Sequence, residues 1–144
     1  MTHTVVVDAS VAVKWLVREP DSDRAFALRM LRMVAPALLV AECGSALWRK
    51  VKAGDLDADD AAPRLRVLRG APVLLQPDHE LAQKALPLAV ELEHPIYDCM
   101  YVALAIELSA PLITADKKLA SLIRNRMPDR CRVIGLHEIE TQLY

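Results

Sequence analysis

The chain has 144 residues, 53% of them hydrophobic, and its 18 basic and 19 acidic residues leave a net charge of −1. That length suits one domain with a real core, and the apolar content argues against disorder. No apolar run reaches the roughly 18 residues of a membrane span, and the near-zero charge announces no polyanion ligand through a whole-molecule field.

The N-terminal stretch MTHTVVVDAS lacks the basic region and long apolar segment of a signal peptide, so the cytoplasm is the expected location. Thr4 to Val7 read as a buried strand, and a helix follows from about Ser10 to Val17. Pro20 and Asp21 end that helix and start the next, DSDRAFALRMLRM. An extended stretch around Val34 to Ala37 precedes the long helix LLVAECGSALWRKVKAG, which Gly54 stops. Asp57 is expected to cap DADDAAPRLRVLRG, with Pro63 marking an early kink or a late start. VLLQP, Val73 to Pro77, is a short apolar strand; Asp78 is expected to cap HELAQKALPLAVEL, which Pro87 should break or kink.

His94 and Pro95 open the apolar helix IYDCMYVALAIELS. Strand PLIT, a helix from Lys117 to about Arg126, strand CRVIGL and a short turn HEIETQL complete the chain. Short apolar strands separated by longer helices predict a parallel sheet covered on both faces, one α/β domain over residues 1–144. Cys43, Cys99 and Cys131 have no zinc-site spacing and read as buried free thiols.

Four carboxylates sit awkwardly in this pattern. Asp8 and Asp116 each end an apolar strand and begin a helix, at the strand ends where open parallel sheets place their ligand sites. Glu42 shares a helix face with Leu38, Leu39 and Ala46, and Asp98 shares one with Val102 and Ala105, so both are expected to be buried. Taken singly, Asp8 and Asp116 are also ordinary N-caps, Asp98 complements a helix dipole, and Glu42 has Arg49 or Lys50 for a surface pair. Taken together, four acids would raise one another's pKa unless a cation shared them. Oxygen ligands without His or Cys suit Mg²⁺ or Mn²⁺ rather than zinc.

The combination VVVDASVAVKWL, the early glutamate of LLVAECGSALWR, YDCMYVALA and LITADKKLA resembles the PIN domains, and specifically the VapC-like ribonuclease toxins of type II toxin-antitoxin pairs, over essentially the whole chain. The resemblance implies a parallel sheet of four or five strands flanked by helices. It makes Asp8, Glu42, Asp98 and Asp116 the metal-binding acids, with Thr114 as the catalytic hydroxyl residue beside the last of them and Ser10 facing the same site. It also implies Mg²⁺- or Mn²⁺-dependent endonucleolytic cleavage of RNA, a homodimer, and a small antitoxin partner.

Carboxylates holding one or two such ions would lower the pKa of a bound water for in-line attack at phosphorus. Asp8, Glu42 and Asp98 are assigned to the first ion, and Asp116 to a second ion or to the attacking water. Ser10 and Thr114 read as donors that fix a carboxylate rotamer, or as local helix caps. Setting the four acids aside leaves 15 acidic against 18 basic residues. Lys117, Lys118 and Arg124 are then candidate phosphate contacts, with Arg126, Arg130 and Arg132 nearby and Arg49, Lys50 and Lys52 as a second patch. Each of these bases also fits a solvated helix face. With so few aromatics, base stacking is not expected to supply most of the RNA affinity.

Trp15, on a side of the first helix with Val11 and Arg18, is assigned to a partner surface, the core being its alternative. Trp48 and Tyr101 are assigned packing roles in helices that are internal or dimer-facing. A haloacid-dehalogenase-type reading fails because that pattern needs a second Asp where this chain has Ser10. A non-catalytic PIN-like scaffold and an RNA-maturation nuclease without an antitoxin remain as rivals.

Overall fold

A computed structural model describes residues 3–140. Five short strands form one parallel sheet: β1 (Thr4–Val7), β2 (Arg32–Pro36), β3 (Val73–Gln76), β4 (Leu112–Thr114) and β5 (Val133–Gly135), in the spatial order β3-β2-β1-β4-β5. Val5 pairs with Met33, and Val7 with Ile113 on the other side. The chain therefore builds outward from β1 through β2 to β3, then crosses back to place β4 against β1. That reversal opens a crevice at the carboxyl ends of β1 and β4, the topological switch point of an open parallel sheet.

Among the described residues seven α-helices cover the sheet: α1 (Ala9–Leu16), α2 (Ser22–Ala27), α3 (Leu38–Lys52), α4 (Ala58–Arg66), α5 (Asp78–Leu92), α6 (Ile96–Leu108) and α7 (Lys117–Arg126). With helices on both faces the central strands have no wet side, hence the unbroken VVV and LIT runs. Val6, Val7, Leu112 and Ile113 are buried almost completely. In α6 everything from Cys99 to Ala105 is buried, so this helix shows little amphipathicity and lies inside the fold. The three cysteines are free and buried, which pushes their thiols up to about 11 or 12 and removes them as nucleophiles.

Several expected boundaries move. The second helix stops at Ala27, continues as a 3₁₀ turn over Leu28–Met30, and yields Arg32 and Met33 to β2, because pairing with β1 buries Met33, Val34 and Ala35. Strand β5 is shorter than CRVIGL and runs into a 3₁₀ turn at Leu136–Glu138; the end of the expected terminal turn, 141–143, lies outside the described residues. Pro63 does not delay α4, which starts at Ala58 with Asp57 accepting from the Asp59 amide, and Pro87 does not break α5. Both prolines face solvent, where water can satisfy the carbonyl each leaves without a partner. Gly54 follows α3 with φ +82°, the left-handed conformation that ends a helix without strain in glycine.

Two side chains depart further from expectation. Asp78 is the first residue of α5, after an N-cap at Pro77, and does not cap that helix. Its Oδ1 accepts from the Leu38 amide at 2.9 Å, which supplies the opening turn of α3 with the acceptor that Ala37 lacks. Trp48, expected in a helix that is internal or dimer-facing, is not internal: it is 58% exposed, with the Lys52 ammonium 5.3 Å from its ring centroid. Tyr101, by contrast, is completely buried.

Candidate functional site

Asp8 ends β1 and caps α1, its Oδ1 accepting from the Val11 amide at 3.3 Å. The same oxygen accepts from Ser10 Oγ at 2.5 Å, and Oδ2 accepts from Thr114 Oγ1 at 2.5 Å. Each hydroxyl is itself fed by the backbone of the turn after β4: the Ala115 amide donates to Ser10 Oγ, and the Asp116 amide donates to Thr114 Oγ1. Two aligned chains, amide to hydroxyl to carboxylate, thus tie the β1–α1 turn to the β4–α7 turn and hold the Asp8 rotamer. Burial pushes the Asp8 carboxyl up to about 6, the two hydroxyl bonds and the Val11 amide pull it down, and the Asp98 charge adds to the rise.

Glu42 lies on the second turn of α3 and is half-buried. Tyr101 Oη donates to Glu42 Oε1 at 2.6 Å from the interior of α6. Burial raises the Glu42 carboxyl, the Tyr101 bond lowers it, the Asp98 charge raises it again, and Arg49 opposes the rise. Asp98 sits in the first turn of α6. It is only partly buried, contrary to the sequence expectation, because the helix enters the core one residue later. Its Oδ2 is 2.6 Å from His94 Nε2, one turn back. Asp116 is exposed and caps α7, Oδ1 accepting from the Lys118 and Leu119 amides at 3.0 and 3.1 Å.

These four carboxylates line one cleft of about 460 Å³. Asp8, Ser10 and Val13 form one part of its wall, Glu42, Ser45 and Arg49 of α3 a second, Tyr97 and Asp98 of α6 a third, and Asp116 completes it. Residues 5–124, most of the chain, match the family profile described as PIN domain.

The chain belongs to the PIN-domain family.

This PIN domain is 35% identical over 122 residues to Ribonuclease VapC1 of Mycobacterium tuberculosis, a match covering 81% of this chain and 88% of that protein. It is 37% identical over 118 residues to Ribonuclease VapC3 of the same organism, covering 81% and 85%. In three dimensions it is similar to the crystal structure of PAE2754 from Pyrobaculum aerophilum, with a TM-score of 0.67 and 24% identity over 94% of this chain and 85% of that one, a likeness of fold.

The donor set of the cleft is all oxygen, which fits a hard divalent cation such as Mg²⁺ or Mn²⁺. Among the described residues, however, no three Asp, Glu, His or Cys side chains are gathered into a ready-made ligand group. Asp8 is turned to two hydroxyls, Glu42 to a phenol and Asp98 to an imidazole, so no coordination shell is pre-assembled among the described residues.

Of the bases named from sequence, Lys117 and Lys118 are exposed beside Asp116. Arg124 is engaged locally, donating to the Val133 carbonyl at 3.2 Å and to Glu138 Oε1 at 2.7 Å, while Arg126 and Arg130 both go to Glu91. Lys50 pairs with Glu19 at 2.9 Å. Trp15 is half-buried; its Nε1 donates to the Ala25 carbonyl at 2.8 Å, and its ring lines an apolar groove with Phe26, Met33, Val67 and Pro72. Val11, placed beside Trp15 from the sequence, is wholly buried and belongs to the core.

Sequence reasoning gave Tyr101 a packing role and overlooked its bond to Glu42. A signal existed: a tyrosine in an apolar helix needs a partner for its hydroxyl, and Tyr101 stands three residues after Asp98, on the same face. His94, four residues before Asp98, carries the same spacing signal. Asp78 offers none, since its partner Leu38 lies 40 residues away.

Proposed function

We propose that this PIN domain is a metal-dependent endoribonuclease, the toxin of a toxin-antitoxin pair. The observation that carries the reading is the convergence of Asp8, Glu42, Asp98 and Asp116 on one cleft at the carboxyl ends of β1 and β4. The VapC ribonucleases it is similar to, at 35% and 37% identity over 81% of the chain, support the reaction class.

In this reading Asp8, Glu42 and Asp98 hold a divalent cation, Mg²⁺ or Mn²⁺, and Asp116 holds a second or orients the water that attacks. When bound, the cation supplies water activation and charge neutralisation at the phosphodiester, which is cut by in-line hydrolysis. Ser10 and Thr114 keep both Asp8 oxygens directed and ionisable in a buried place, and Tyr101 does the same for Glu42. Lys117 and Lys118 meet flanking phosphates; Arg124 would first have to leave Glu138. The groove beside Trp15 offers the antitoxin an apolar seat, and Leu86 and Val90, exposed one turn apart on α5, offer apolar surface for a homodimer.

The test is direct. Purified protein, stripped of any bound peptide, should cut RNA with Mg²⁺ or Mn²⁺ and not with EDTA, and Asp8→Asn should cut none. Expression of the chain alone should arrest growth, with relief by Asp98→Asn. No cleavage and no arrest would instead favour a PIN-like scaffold, and cleavage without arrest an RNA-maturation nuclease. Sedimentation should give twice the chain mass.

A further inference from the structure

Two side chains of the cleft wall make no hydrogen bond or ion pair to the carboxylates among the described residues. Arg49 is the one base lining the cleft among the described residues, and it forms no ion pair there. Of its neighbours at the end of α3, Lys50 is drawn off to Glu19 and Lys52 to the ring of Trp48. The Arg49 guanidinium is steadied instead by a neutral hydroxyl, Nη1 donating to Ser45 Oγ at 3.3 Å. Glu42, Ser45 and Arg49 follow one face of α3, and seven residues at 1.5 Å rise put the Arg49 backbone roughly 10 Å along the helix from that of Glu42.

On the α6 part of the wall stands Tyr97, the one aromatic side chain in the cleft lining among the described residues. It is 57% exposed, at the head of a helix that is buried from Cys99 to Ala105. A large aromatic group left in water beside a carboxylate adds nothing to the core, and its face is free for a flat ligand. The cleft has the size of a small-molecule pocket.

We propose that Tyr97 and Arg49 form a two-sided seat for the nucleotide next to the scissile phosphate of a single-stranded RNA, Tyr97 stacking on its base and Arg49 contacting its phosphate. The inference rests on the ribonuclease reading above and adds to it two residues that position the substrate and the path the strand takes. Stacking on an aromatic face is tolerant of base identity, so the seat positions the strand without reading one sequence. The guanidinium, offset along α3, addresses the phosphate beside the one held at the carboxylates. It stays charged at any working pH.

The experiment uses the full chain carrying Asp8→Asn, so that RNA survives the measurement. Fluorescence anisotropy follows binding of a short random-sequence single-stranded RNA and of an abasic ribose-phosphate strand of the same length. Tyr97→Ala should weaken binding of the RNA about tenfold and leave the abasic strand unchanged, while Tyr97→Phe binds like the parent. Arg49→Ala should weaken both strands and lower the salt slope by about one, and Arg49→Lys should restore the slope. Equal losses on RNA and abasic strand, or no loss with Tyr97→Ala, would overturn the seat. Cleavage of total RNA by the otherwise unaltered chain is measured alongside. If that chain cuts RNA and both alanine variants bind as the parent does, only the seat falls. If it neither cuts nor binds RNA, the ribonuclease reading falls and takes the seat with it.

Discussion

At the scale of single residues, Asp8 is held in a costly state. A carboxyl raised from 3.8 to about 6 by burial disfavours the ionised folded protein by about 3 kcal/mol at neutral pH. The sign follows from linkage: the folded form binds the proton more tightly, so its contribution to stability is complete below pH 3.8 and lost as pH rises through about 6. EDTA-treated protein should therefore lose more melting temperature between pH 4 and 6 than Asp8→Asn does, since the variant lacks the titrating group. At pH 7.5 Asp8→Asn should melt a few degrees higher than the parent while losing all cleavage, as calorimetry and an RNA gel would report. Tyr101→Phe makes a complementary case. It keeps the ring packed, removes a charge-assisted bond, and should cost about 1 to 2 kcal/mol of stability. Without that donor the Glu42 carboxyl rises further, and calorimetric Mn²⁺ affinity should drop by about tenfold. Unchanged affinity would reduce Tyr101 to a packing residue.

Between elements, the telling contact is Asp78 on the opening turn of α3. That helix carries Glu42, Ser45 and Arg49 along one face, so its N-terminus sets where the cleft wall stands. Asp78→Ala should cost about 1 kcal/mol in urea denaturation, the usual value of a lost cap, and Asp78→Asn should recover most of it because the amide oxygen still accepts. Cleavage should fall with Asp78→Ala by less than with Asp8→Asn, since the wall loosens without losing a ligand. The hydroxyl bridge from Ser10 and Thr114 plays the same part for the two strand-end turns. It joins residues 106 apart in the chain, so the floor of the cleft forms only when β4 has docked against β1.

For the molecule as a whole, a cation shared by acids from three separate elements should stabilise the folded state by mass action. At about 100 times its dissociation constant Mn²⁺ should add about 2.7 kcal/mol, read as a rise in melting temperature that is absent from Asp8→Asn. A rise of equal size in that variant would mean that the ion binds elsewhere. The long-range field remains weak, and the site works by local arrangement: acids in the cleft, unpaired bases at its edge, and other bases paired with Glu91, Glu138 and Glu19.

The sequence by itself determined the alternation of strands and helices and the strand-end positions of Asp8 and Asp116, because hydrophobic runs, caps and glycine or proline punctuation act over a few residues. Even the ends of α5 and α6, where the left-handed Glu93 and Ser109 stand in place of a glycine, fall within one residue of the expected ends of HELAQKALPLAVEL and IYDCMYVALAIELS. The surrender of Arg32 and Met33 from a helical pattern to β2 was not legible, since pairing with β1 overrode local preference. The four acids could be named in advance from residue type and setting, but their partners could not. Only the crossing of β4 to β1 brought Thr114 to Asp8, and only the packing of α6 on β1 and β2 brought Tyr101 to Glu42. Which acids lie deep and which at the rim, and which bases stay unpaired, are likewise decided by tertiary packing. Burial and pairing depend on neighbours that the linear chain keeps tens of residues apart.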